Sequence, residues 1–108
     1  MSQYKHHVFV CSLGKTCAKE GGVETFQAIK RAARKADLQG LVRVNKAGCM
    51  NQCGHGPMVV VYPDDIWYHQ VDEKGGARIV AEHLVSGFVV EDYRYIAPPG
   101  DNKLVDDD

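Results

Sequence analysis

The chain has 108 residues, which is room for one domain and not two. Hydrophobic residues are 44% and charged residues 25%, an ordinary globular balance that excludes a disordered chain. A net charge of −1 and a pI near 6.5 lack the electrostatic footprint of a nucleic-acid binder.

The near-neutral total hides an asymmetry. Residues 1–50 carry a balance of +6 and residues 51–108 a balance of −7. Such a split gives either a dipole that orients docking or simply two solvated faces. The basic cluster Lys30-Arg31 and Arg34-Lys35 has no interleaved aromatics, so nucleic acid is not expected as a partner. The longest apolar run, Met58 to Tyr62, is too short to cross a bilayer, and no membrane role is expected. Residues 1–10 lack the pattern of a secretory signal. The expected location is therefore the cytoplasm, where thiols are kept reduced.

In chain order, His7 to Val10 reads as a short buried strand. Cys11 to Gly22 is a glycine-broken loop. Val23 to Ala36 follows as a helix, with Val23, Phe26, Ile29 and Ala33 on its apolar face and Gly40 as the stop. Leu41 to Val44 alternates as a strand, and Ala47 to Pro57 is a second loop. Val59 to Tyr62 and Ile66 to His69 form a hairpin across Pro63-Asp64-Asp65. Ala77 to Val85 is a second helix with Ile79, Val80, His83 and Leu84 on one face. Phe88-Val89-Val90 packs or extends, and residues 97–108 read as a loose tail of the single domain 1–108. The order is βαβ then ββα: an α/β, thioredoxin-like sandwich with a mixed sheet and two helices. The bond before Pro57 is either cis, as in thioredoxin folds, or trans, which frequency favours.

All four cysteines fall in the two loops, as Cys11-x5-Cys17 and Cys49-x3-Cys53. Each pair follows a strand of the βαβ unit. Parallel neighbours end at the same sheet edge, so the four sulfurs should converge. Two disulfides suit a reducing compartment poorly. A dithiol couple normally uses Cys-x-x-Cys, which neither pair matches. Structural zinc and a [2Fe–2S] cluster both accept four thiolates, and both stay open at this point. Longer glycine-rich loops favour the cluster, whose two irons need sulfur pairs set further apart.

The chain resembles the thioredoxin-like [2Fe–2S] ferredoxins. The resemblance rests on His7-Val8-Phe9-Val10-Cys11, on Ala47-Gly48-Cys49-Met50-Asn51-Gln52-Cys53, and on Gly56-Pro57 through Pro63 followed by Ile66-Trp67-Tyr68. It implies a small electron carrier, not an enzyme. Cys11, Cys17, Cys49 and Cys53 would ligate one [2Fe–2S] cluster per chain, the first pair on one iron and the second pair on the other. It also implies redox partner proteins and a homodimer. Five residues between Cys11 and Cys17 is shorter than the usual spacing in these ferredoxins. That spacing is similar to the one in the related small subunit of NADH:quinone oxidoreductase.

Around the cysteines, backbone amides at Ser12 to Thr16 and Met50 to Gly54 are candidate donors to cluster sulfur. Lys15 and Lys46 either favour the reduced state or are ordinary solvated loop lysines. His55 is expected near the cluster and not as a ligand. His6-His7 is expected at the surface or strand edge without metal partners, while His69 and His83 are expected to pack. Trp67, Tyr62 and Tyr68 are expected in core packing, with an interface as the alternative. Two competing functions remain, a colourless zinc-stabilised binding module and a metal-free thiol redox protein.

Overall fold

A computed structural model describes residues 5–12, 19, 21–38, 40–48, 56–96 and 100. Strand β1 (His6–Cys11) is followed by helix α1 (Gly22–Lys35), β2 (Val42–Ala47), β3 (Val59–Tyr62) and β4 (Ile66–Tyr68). Helix α2 (Glu73–Arg78) then runs on as a π-helical segment (Ile79–Val85), and a short 3-10 turn (Glu91–Tyr93) comes last. The sheet order is β2-β1-β3-β4. β1 runs parallel to β2 and antiparallel to β3, and β3 is antiparallel to β4. The expected mixed sheet with βαβ then ββα order and two helices is what forms.

Alternation along β1 sorts the two faces. Val8 and Val10 point into a core completed by Val42, Val44, Val59, Val61 and Tyr68 from the sheet. Phe26 and Ile29 of α1 close over it, with Ile79, Val80 and Leu84 of the second helix. The other face carries His7, Phe9, Tyr62 and Trp67, none of which belongs to that core. There the His7 ring stacks on Phe9 at 4.3 Å, and Phe9 meets Tyr62 edge-on at 6.1 Å. The aromatic trio thus divides: Tyr68 is core, whereas Tyr62 and Trp67 sit on the outer face.

Several boundaries move for local reasons. The inner face of α1 uses Gly22 and Thr25, leaving Val23 exposed. Thr25 Oγ1 donates to the Val71 carbonyl and ties the helix to the segment before α2. Chain reversal after α1 begins at Asp37, which takes a positive φ of 58° before Gly40 does. β2 reaches Ala47 because Asn45, Lys46 and Ala47 pair with Phe9, Val10 and Cys11. The second helix starts four residues early, since Asp72 caps it by accepting from the Gly75 amide at 2.7 Å. Gly75 and Gly76 are required inside it: a Cβ would lie 2.8 Å from the Tyr93 ring at one and 2.9 Å from Ile29 at the other. The Gly56–Pro57 bond is cis, correcting the expectation of trans, as is Tyr62–Pro63. Trans is favoured before proline by only about 0.5–1 kcal/mol, and the Pro57 carbonyl accepts from Val71 N–H at 3.1 Å.

Pairing of His7 with Tyr62 brings the Pro63–Asp65 turn beside the start of β1. There His6 is buried at 7% exposure, correcting its expected place at the surface without partners. His83, 2% exposed, lies at hydrogen-bond distance from Asp64 through Nε2 (2.6 Å) and from the Tyr68 hydroxyl through Nδ1 (2.7 Å). Val90 N–H also donates to that hydroxyl oxygen at 3.1 Å, so Tyr68 links the His83 ring to the backbone. Replacing Tyr68 with phenylalanine strands two buried polar groups and should cost about 1–3 kcal/mol of unfolding free energy. The midpoint of chemical denaturation reads this, and an unchanged midpoint would remove the network from the account of stability.

Candidate metal centre

Cys11 is the last residue of β1 and is 1% exposed. Its strand lies between β2 and β3, so each neighbour delivers one end of the second cysteine loop to it. On one side Ala47 is its register partner, and Ser12 N–H donates to the Ala47 carbonyl at 3.1 Å. On the other, Cys11 N–H donates to the Met58 carbonyl at 2.9 Å. The segment bearing Cys49 and Cys53 therefore departs from one flank of Cys11 and returns on the other. Parallel strands ending at a common edge achieve this, as their order in the sequence requires. Cys17, Cys49 and Cys53 themselves lie outside the described residues, as do Lys15, His55 and the amides of 13–16 and 50–54.

What surrounds Cys11 is apolar. It packs with the buried Met58, and the partly buried Trp67 and Tyr95 lean on the pair. The His69 ring stacks on Tyr95 at 5.2 Å, which fulfils its expected packing role. Ser12 Oγ is buried with no hydrogen-bond partner, beside the cysteine. A buried hydroxyl without an acceptor is costly, and sulfur of a ligated thiolate or cluster would accept from it. Soft sulfur, an apolar wall and an orphan donor together fit a thiolate-held metal centre. Ligation would require the Cys11 sulfur as the thiolate.

Two expected second-layer groups are placed elsewhere. The Ser12 amide is spent on Ala47, which leaves the hydroxyl as the serine's unpaired donor. Lys46 is on β2, not in a loop, and its ammonium sits 5.4 Å from the Phe26 ring centre, with Lys30 at 5.5 Å from the same ring. The shell of Met58, Trp67 and Tyr95 escaped sequence reasoning. Alternation marks which strand face a residue takes and not which sulfur it will touch.

No protein-family model matches the chain. A 2Fe-2S ferredoxin of Clostridium pasteurianum is 37% identical over 94 residues, covering 81% of this chain and 92% of the relative. A 2Fe-2S ferredoxin of Aquifex aeolicus is 39% identical over 99 residues, covering 84% and 88%. A relative in Priestia megaterium is 41% identical over 83 residues, and the match spans 64% of that protein's length. The structure of a thioredoxin-like [2Fe-2S] ferredoxin from Aquifex aeolicus superposes with a TM-score of 0.82 at 37% identity, over 92% of this chain and 98% of that one. Thiolate chemistry alone left zinc and iron–sulfur open, and these likenesses decide between them: the chain belongs to the thioredoxin-like [2Fe–2S] ferredoxins, one-electron carriers built around a [2Fe–2S] cluster.

Proposed function

We propose that Cys11, Cys17, Cys49 and Cys53 hold one [2Fe–2S] cluster, with the first pair on one iron and the second pair on the other. The single observation that carries this is the position of Cys11, buried at a strand end and flanked by both ends of the Cys49–Cys53 loop. When bound, the cluster supplies a site that takes up and releases one electron. The chain's own residues set how readily it does so. Met58, Trp67 and Tyr95 exclude water from the sulfur, which raises the cost of added negative charge. The Ser12 hydroxyl, buried without another partner, offsets part of that cost by donating to sulfur. No side chain here acts on a substrate bond. The protein passes electrons between partner redox proteins in the cytoplasm, and among the described residues no helix is long and apolar enough to cross a membrane.

The same reading includes a homodimer, supported by the outer sheet face on which Phe9, Tyr62 and Trp67 lie outside the helix-covered core.

Protein purified without oxygen should be red-brown, contain two irons and two sulfides per chain, and gain an electron-spin signal on dithionite reduction. Cys11→Ala should lose that chromophore. An unchanged spectrum in C11A, or a colourless folded wild type that cycles thiols, would reject the ligand set. Ser12→Ala should keep the cluster but lower its reduction potential, because a donor to the extra charge is gone. A potential equal to wild type would show that the hydroxyl does not face sulfur. Tyr62→Glu should convert a dimer to a monomer in light scattering, while a wild-type monomer would end the dimer proposal.

A further inference from the structure

The far end of β1 holds a second group of metal-competent side chains, and the electron-carrier reading does not use it. We propose that His6, Asp64 and His83 form a binding site for a divalent first-row transition ion, zinc foremost, separate from the cysteine centre. Three different elements deliver these residues: the first position of β1, the β3–β4 turn and the π-helical segment. Their ligand atoms lie within 4.8 Å of one another. Along β1, His6 is about 17 Å from Cys11, so the two centres share no ligand.

The donor set is that of an open zinc site: two imidazoles, one carboxylate, and a remaining position for water. A tetrahedral ion with bonds of about 2.0–2.1 Å holds its ligand atoms roughly 3.3 Å apart. The His6 Nε2 to Asp64 Oδ2 distance of 3.4 Å already matches this. The His83 Nε2 to Asp64 Oδ2 distance is 2.6 Å and must open by several tenths of an ångström. Asp64 has the freedom to do so, because it lies on a turn with its side chain 40% exposed. That exposure also gives the ion and its water a route from solvent. Tyr68 holds the second nitrogen of His83 and fixes the ring's direction, the role that outer hydrogen bonds play around metal-bound histidines.

An ordinary structural role explains His83 and leaves His6 unexplained. His6 is buried, yet its Nε2 meets Asp64 only at 3.4 Å, long for a hydrogen bond.

The test is zinc titration of the cluster-loaded protein, followed by calorimetry and by metal analysis after dialysis, with iron content monitored throughout. Wild type should bind one zinc per chain without losing iron. His6→Asn and Asp64→Asn should each weaken that binding about tenfold or more while the cluster spectrum stays unchanged. Should His6→Asn fail to fold, Asp64→Asn on its exposed turn gives the same answer. Absence of zinc binding in wild type, or wild-type affinity in Asp64→Asn, would overturn the proposal.

Discussion

Everything in this molecule depends on β1 being hydrogen-bonded on both sides. It is the only described strand paired in parallel and antiparallel ladders at once, and it puts Val8 and Val10 into the centre of the core. The parallel ladder follows from the α1 crossover, and the antiparallel ladder from the opposite direction of β3. Where the two ladders meet at the C-terminal end of β1, the backbone has already spent its donors on Ala47 and Met58. Cys11 is thus locked in place before any metal is considered. That is the preorganisation a small-reorganisation electron site needs, since a ligand that shifts on reduction would slow transfer.

The helices contribute by clamping and not by chemistry. α1 lays Phe26 and Ile29 on the sheet, and the glycine pair of α2 lets that helix approach Ile29 and Tyr93 closely. Arg78 then fastens the 3-10 turn to α2. Its guanidinium reaches Glu82 at 2.7 Å and Asp92 at 2.8 Å, and it lies over the Tyr93 ring. Those contacts raise the Arg78 pKa, and the hydrogen bond from Arg78 lowers that of Glu82. Both partners are surface groups, so the pairings fix geometry more than they add stability. Geometry is what matters here, because the turn they hold leads directly into Tyr95, part of the wall around Cys11.

Element order and the hairpin were legible because β-branched runs such as Val59-Val60-Val61 admit few alternatives. The convergence of loop ends on Cys11 was legible too, since it follows from topology alone. Residues whose meaning depends on a distant neighbour were not. Gly75-Gly76 reads as lying ahead of the expected helix until Tyr93 and Ile29 are seen against it. Lys46 looks like a loop cation until β2 is seen to extend beneath Phe26. His6 offers no metal spacing along the chain, because its partners are 58 and 77 positions away and arrive only through strand register and the π-helical segment. No local pattern encodes such a meeting.

Buried polar atoms in folded proteins are nearly always paired, so the exceptions are informative. Among the described residues two side-chain atoms break the rule, Ser12 Oγ and His6 Nδ1. They do not fall at random. One stands immediately past the C-terminal end of β1 beside a cysteine, and the other at the N-terminal end beside a carboxylate and a second imidazole. Each orphan is a cost that the hydrophobic core tolerates. A strand held rigidly along its length can carry such costs at its two ends. The same rigidity keeps both ends shaped for ligands that the apolar interior between them could not accept.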